Sequence, residues 1–374
     1  MSNRKKLLAV VVASGIFAAG GFTATAIKKP IAIETATEPF FGENQNGIEV
    51  ARQAHATYVA LDIREGVDKA AVGRMMRVLT NDASLLTQGQ GIIGDSQFEM
   101  AEFPARLTVT FGFGYSLFKK IGATDSWPIA QKAIPAYSID KLDKAWSDGD
   151  LLIQVSGDEP TSVFHAVHEL ARSASPFASI RWQQRGFLNS PGVNVGKDTR
   201  NLLGQIDGTA NAKIGTPEFD ERTWSKSPEN FIGGTTMVIR RIRFDLGTWD
   251  RLSTSKKDAS LGRTLKDGEP LGGGSLTGED VPKDAHARVA FTDNNQGITR
   301  RGFNYDDNYL PDGTHDVGLI FTSFQSELSR FTKIQETLAR IDSLNKWTTP
   351  VGSALFVIPP GIQKGDWVGS SLLG

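Results

Sequence analysis

One pattern constrains the fold of this chain more than any other, and it occurs twice. Each half carries short strand-like runs interrupted by segments whose apolar residues recur at steps of three and four. In the first half, ATYVALDI (56–63), RLTVTFGFG (106–114) and DLLIQVSG (150–157) read as strands. DKAAVGRMMRVLTNDASLL (68–86) reads as a helix. After Pro160, Thr161 can cap a second helix with Val163, Phe164, Val167, Leu170 and Ala171 expected on one face. In the second half the strands are TTMVIRRIRFDL (235–246), VGLIFTSFQ (317–325) and GSALFVIP (352–359). The helix there carries Leu328, Phe331, Ile334, Leu338 and Ile341. Strict βα alternation is missing from both halves, so the pattern predicts α+β rather than a doubly wound parallel sheet. Each half can form a split βαβ, ferredoxin-like unit. A length of 374 residues suits two such domains, expected at 48–200 and 201–374.

The N-terminus is a separate object. Arg4, Lys5 and Lys6 precede a mostly apolar run from Leu7 to Phe22, and Ala24-Thr25-Ala26 offers a small-x-small cleavage site. Sixteen residues with three glycines are short for a membrane span, so residues 1–26 are expected to be a secretory signal. No membrane span should then remain after cleavage. Residues 27–47 lack a period and read as a leader or linker.

Composition narrows the chemistry. Cysteine is absent, which excludes disulfides, zinc–cysteine sites, iron–sulfur clusters, thiolate-ligated haem and cysteine nucleophiles. A formal net charge of −1 gives no excess of basic residues to attract nucleic acid. The glycine-rich stretch 265–285 lacks a following GK[ST] and reads as a loop rather than a phosphate cradle.

The chain has five histidines. His165 and His168 have the spacing of a metal pair, yet both project away from the apolar face of their helix and are expected at the solvated surface. His55, beside a strand, is expected to be structural, and His315, in a turn, to hydrogen-bond locally. His286 stands in DAHARVAFTDNNQGITRRGFNYDD, fourteen residues before Arg300-Arg301. Asp207 is the one acid of NLLGQIDGTANAK (201–213), set between Gly204 and Gly208. A histidine, an acid on a glycine turn and an arginine are the parts that peroxide chemistry needs. Histidine can ligate haem iron, a carboxylate can move a proton between peroxide oxygens, and an arginine can stabilise the charge that develops.

These stretches, with GDEPTSVFHAVHEL, RWQQRGF, GGTTMVIRRIRFDLGTWD, GEPLGGGS and LNKWTTPVGSALFVIPPGI, occur in an order that resembles the dye-decolourising peroxidases, a haem family. The resemblance runs from about Ile48 to the C-terminus and is strongest to the exported deferrochelatase/peroxidase-like branch. It implies two ferredoxin-like domains and one b-type haem, held mainly by the C-terminal domain. It also implies hydrogen peroxide and a reducing donor as substrates. Asp207 matches the distal acid of the GxxDG signature, His286 the proximal iron ligand, and Arg300 the distal arginine that also reaches a haem propionate. Gly204 and Gly208 would shape the turn, and Phe321 would pack over the distal haem face. Either Asp316 or Asp342 would accept the second ring nitrogen of His286. The branch implies an exported, periplasmic or extracellular protein and leaves room for iron release from haem, iron-uptake partners and a homo-oligomer. The n-region, Asn3-Arg4-Lys5-Lys6, lacks the twin-arginine pair common among exported members.

Overall fold

The computed structural model describes residues 32–193, 199–291 and 297–374. The expected signal at 1–26 lies outside them. In the first half, strands β1 (His55–Ile63), β2 (Thr108–Phe113), β3 (Leu151–Gly157) and β4 (Ala178–Phe187) are interleaved with helices Lys69–Leu86 and Pro160–Ala174. They pair antiparallel in the order β4-β1-β3-β2. In the second half, β5 (Thr235–Phe244), β6 (Thr299–Arg300), β7 (Phe303–Tyr309), β8 (His315–Gln325) and β9 (Thr348–Ile358) follow the same plan. There β5 lies between β9 and β8, and β8 also pairs with β6 and β7. Both halves are therefore ferredoxin-like, as the repeated pattern implies.

The two sheets join through single residue pairs, Phe113 with Val357 and Phe187 with Asn304. With β5 bonded to both β9 and β8, the strand order closes on itself. Period-2 alternation explains how one strand serves two cores. On β1, Val59, Leu61 and Ile63 pack under the first-half helices with Met75, Leu79 and Leu170. Ala56, Tyr58 and Ala60 face the other way, toward Phe303, Ile320 and Phe356 of the second half. The buried Tyr58 hydroxyl, pushed up to about 12 by burial, accepts a hydrogen bond from Thr322 Oγ1 at 3.1 Å.

Three expectations need correction. The end of the stretch read as a leader or linker is packed, with Phe40 and Gln45 buried. Gln45 donates to the carbonyls of Phe111 and Pro359, each at 3.0 Å, and accepts from the Phe111 amide at 2.8 Å, bridging the weak β2–β9 seam. His165 is not at the surface. Its side chain is 2% exposed, because the turn holding Asp95 covers that flank of the helix. His168 is exposed as expected, and it stacks on Phe164, which faces solvent rather than the core.

Candidate active site

Asp207, Arg300 and His286 reach the same region from three separate elements. The turn around Asp207 begins with Asn201, whose Oδ1 accepts from the amides of Leu203 at 3.0 Å and Gln205 at 3.2 Å. Gly204 and Gly208 follow with φ of 83° and 106°, a left-handed backbone that favours glycine. The Asp207 amide donates to Thr199 O at 2.9 Å. Asp207 Oδ1 lies 3.9 Å from Arg300 Nη2, and both side chains are partly exposed.

Arg300 is held by its main chain. Its amide donates to Asn211 Oδ1 at 3.0 Å, and its carbonyl accepts from Asn211 Nδ2 at 2.7 Å. One carboxamide thus locks the arginine strand to the turn that carries Asp207. Arg52 closes the same junction from the first half, reaching Thr199 Oγ1 at 2.9 Å, Asp207 O at 3.3 Å and Gly302 O at 3.5 Å. The neighbour of Arg300 points elsewhere. Arg301 is buried and donates to Val50 O at 2.5 Å; burial first, and then the nearby Arg52, lower its guanidinium to about 10.

Asn211→Ala removes both bonds and leaves two main-chain groups without partners. The expected cost is about 1–3 kcal/mol, read as a lower thermal midpoint. Faster amide exchange should be confined to residues 207–211 and 299–300.

His286 opens the short helix His286–Ala290, which packs against the helix Leu328–Ile341. Its Nδ1 is 2.6 Å from Oδ2 of the buried Asp342, at the end of that second helix. Asp342 Oδ1 in turn accepts from the Leu344 amide at 2.8 Å. Of the two acids offered by the sequence, Asp342 is the partner, because Asp316 is engaged by Arg241 through two bonds of 3.0 and 2.9 Å. Burial pulls the His286 imidazole down, but the Asp342 carboxylate, by charge and by hydrogen bond, outweighs it and leaves the imidazole above its ordinary value. Arg300 and Asp207 both contribute to the potential at His286, the first lowering and the second raising it. Among the described residues, Nε2 of His286 has no hydrogen-bond partner.

The surroundings are apolar on one side and basic on the other. Arg300 pairs across the sheet with Ser323, so Phe321, two residues along, shares its face. Phe321 lies 6.0 Å from the buried Phe331 ring and is itself only partly covered, as are Ile334 and Leu338 on the facing helix. Arg263, half-buried, is a second cation near Arg300: burial first, and then Arg300, lower its guanidinium. Arg52, Asn211 and Arg263 are not picked out by the sequence reading. Their partners are main-chain groups, the Thr199 hydroxyl or other cations brought in by the fold, and no local motif marks them.

Two family models match the chain: Dyp-type peroxidase, N-terminal, over residues 45–188, and Dyp-type peroxidase, C-terminal, over residues 198–363. A dye-decolorizing peroxidase of Thermobifida fusca is 33% identical, covering 88% of this chain and 83% of its own. A deferrochelatase of Escherichia coli is 30% identical over 90% of this chain and 87% of its own. The crystal structure of a DyP-type peroxidase from Cellulomonas bogoriensis superposes with a TM-score of 0.87 at 39% identity, over 91% of this chain and 99% of that one. Together with the paired ferredoxin-like halves, these matches make the chain a member of the Dyp-type peroxidase family, oxidoreductases that act on peroxide.

Proposed function

We propose that the chain is a b-type haem peroxidase whose site is built from His286, Asp207 and Arg300. The observation that carries this reading is His286 itself. Its Nδ1 is bound to a buried carboxylate and its Nε2 has no partner among the described residues, the arrangement of a metal-ligating imidazole. The surroundings fit a haem as well. Phe321, Ile334 and Leu338 offer incompletely covered apolar surface for a flat macrocycle, and Arg263 and Arg300 offer positive charge for its carboxylates. Bound haem supplies an iron centre at which peroxide is reduced and an outer donor oxidised.

The chain's own residues do the rest. Asp342 holds the His286 ring in one tautomer and strengthens it as a ligand. Asp207, partly exposed, takes a proton from one peroxide oxygen and returns it to the other. Arg300, 3.9 Å from that carboxylate, stabilises negative charge as the O–O bond breaks. Gly204 and Gly208 would let the backbone turn close to a bound haem, and Phe321 would offer it an apolar face. Haem would be held mainly by the half from residue 201 onward.

Export is part of the reading. Residues 1–26 serve as a signal to the periplasm or beyond, the first domain runs over 48–200 with the end of the 27–47 segment packed onto it, and 201–374 form the second. Among the described residues, no helix is long and apolar enough to cross a membrane. The second reading is iron release from haem, supported by the deferrochelatase relatives. Incubating haem-loaded protein with peroxide and a dye separates the two. The peroxidase bleaches the dye and keeps its porphyrin iron-bound, whereas a chelatase yields metal-free porphyrin and leaves the dye intact.

A further inference from the structure

The second half does not hold all the buried ionic chemistry of this protein. On the outer side of the first half, Asp95, His165 and Glu169 converge, with one ligand atom from each within 4.8 Å of the others. All three side chains are nearly sealed, at 1%, 2% and 6% exposure. His165 and Glu169 are one turn apart on the helix Pro160–Ala174, and Asp95 comes from the turn that covers it. His165 Nε2 and Asp95 Oδ2 are 2.9 Å apart. His168, exposed at the rim, places its Nε2 3.9 Å from Glu169 Oε1.

Acidic side chains gather there. Asp82 is buried beside the same helix and accepts from Ser173 Oγ at 2.7 Å, so three buried carboxylates gather in one place. Arg172 is the cation that faces all three. It directs both Nε and Nη2 at one oxygen, Glu169 Oε2, and leaves Oε1 turned toward His168. Around those three carboxylates stand the Arg172 guanidinium and the His165 imidazole, whose Nε2 meets Asp95. Buried carboxylates of that kind are paired with cations or coordinate metal ions.

We propose that Asp95, His165 and Glu169 bind a divalent transition metal ion, with His168 as a fourth donor at the mouth. The ligand set is two imidazoles and two carboxylates, suited to zinc and its neighbours in the first transition row. Bonds of about 2.1 Å place donor atoms roughly 3–4 Å apart, so the cluster has only to close slightly. The ion would clamp the Asp95 turn onto the helix. Its role is structural, and it rests on no part of the peroxidase reading.

Zinc alone is the probe. Haem-loaded, full-length protein is equilibrated with Zn2+, dialysed and analysed for zinc and iron separately. The expected result is one zinc per chain beside the haem iron, with a thermal midpoint raised by zinc. Glu169→Gln keeps the shape of the side chain and should weaken zinc binding by at least about 10-fold. His168→Ala, at an exposed position, should weaken it to a smaller degree. Arg172→Gln removes the competing cation and should tighten it. His315→Ala, which alters the exposed pair with Asp306, should change nothing. Zinc content that is substoichiometric, unchanged in Glu169→Gln or lost with His315→Ala would overturn the proposal. So would weaker binding in Arg172→Gln, since it would show that the arginine is the cluster's own counter-ion.

Discussion

His286→Ala is expected to lose stable haem. With cysteine absent, no thiolate can replace the imidazole, and none of the other four histidines lies in this site. The variant should bind haem weakly, without the Soret intensity of the parent, and exogenous imidazole should restore part of that intensity by filling the vacated space. The neighbouring Asp342→Asn should have a milder effect. Loss of a partner that orients a metal ligand typically costs 10–100-fold in affinity, so haem should still bind but leave faster. Full Soret intensity and full activity in His286→Ala would remove this residue from the site.

The second large effect is expected at Asp207. Asp207→Asn keeps the size and hydrogen-bonding capacity of the side chain but cannot move a proton. Haem should bind as in the parent, while the first spectral change on mixing with peroxide slows by ~10² or more. Arg300→Leu removes the charge 3.9 Å away and should cost on the order of 10²–10³ in the same step. Rapid mixing at limiting peroxide separates these losses from slower donor oxidation. If Asp207→Asn reacts as fast as the parent while Arg300→Leu does not, the proton is carried by another group.

Much of the frame was legible before the structure. The strands at 55–63, 108–113, 151–157, 235–244, 315–325 and 348–358 have the apolar alternation or continuity that marks them in the sequence. β4 and β7 do not. RWQQRG holds one aromatic among polar residues and NYDDNY two, and the outer part of β7, Asp306–Tyr309, is exposed, so hydrophobicity alone does not reveal these strands. The candidate site is marked by local chemistry at the glycines around Asp207 and in the setting of His286. It was not legible where tertiary contact decides. Asn211 and Arg300 are 89 positions apart, and Arg52 and Gly302 are 250 apart, so nothing local joins them. The choice between Asp316 and Asp342 depends on Arg241, which claims the first. His165 was misplaced for the same kind of reason. Helical periodicity assigns it to a flank of its helix, but only the fold brings Asp95 across that flank.

The measurement closest to the claim that this chain is a haem peroxidase built on His286 is a haem titration followed by peroxide. Purified full-length protein is titrated with haem while the Soret band is recorded, and one equivalent of peroxide is then added with and without a dye. Saturation at one haem per chain is expected, followed by a rapid spectral change that the dye reverses as it is bleached. Absence of a stoichiometric Soret band, or a haem-loaded protein whose spectrum peroxide leaves unaltered, would contradict it.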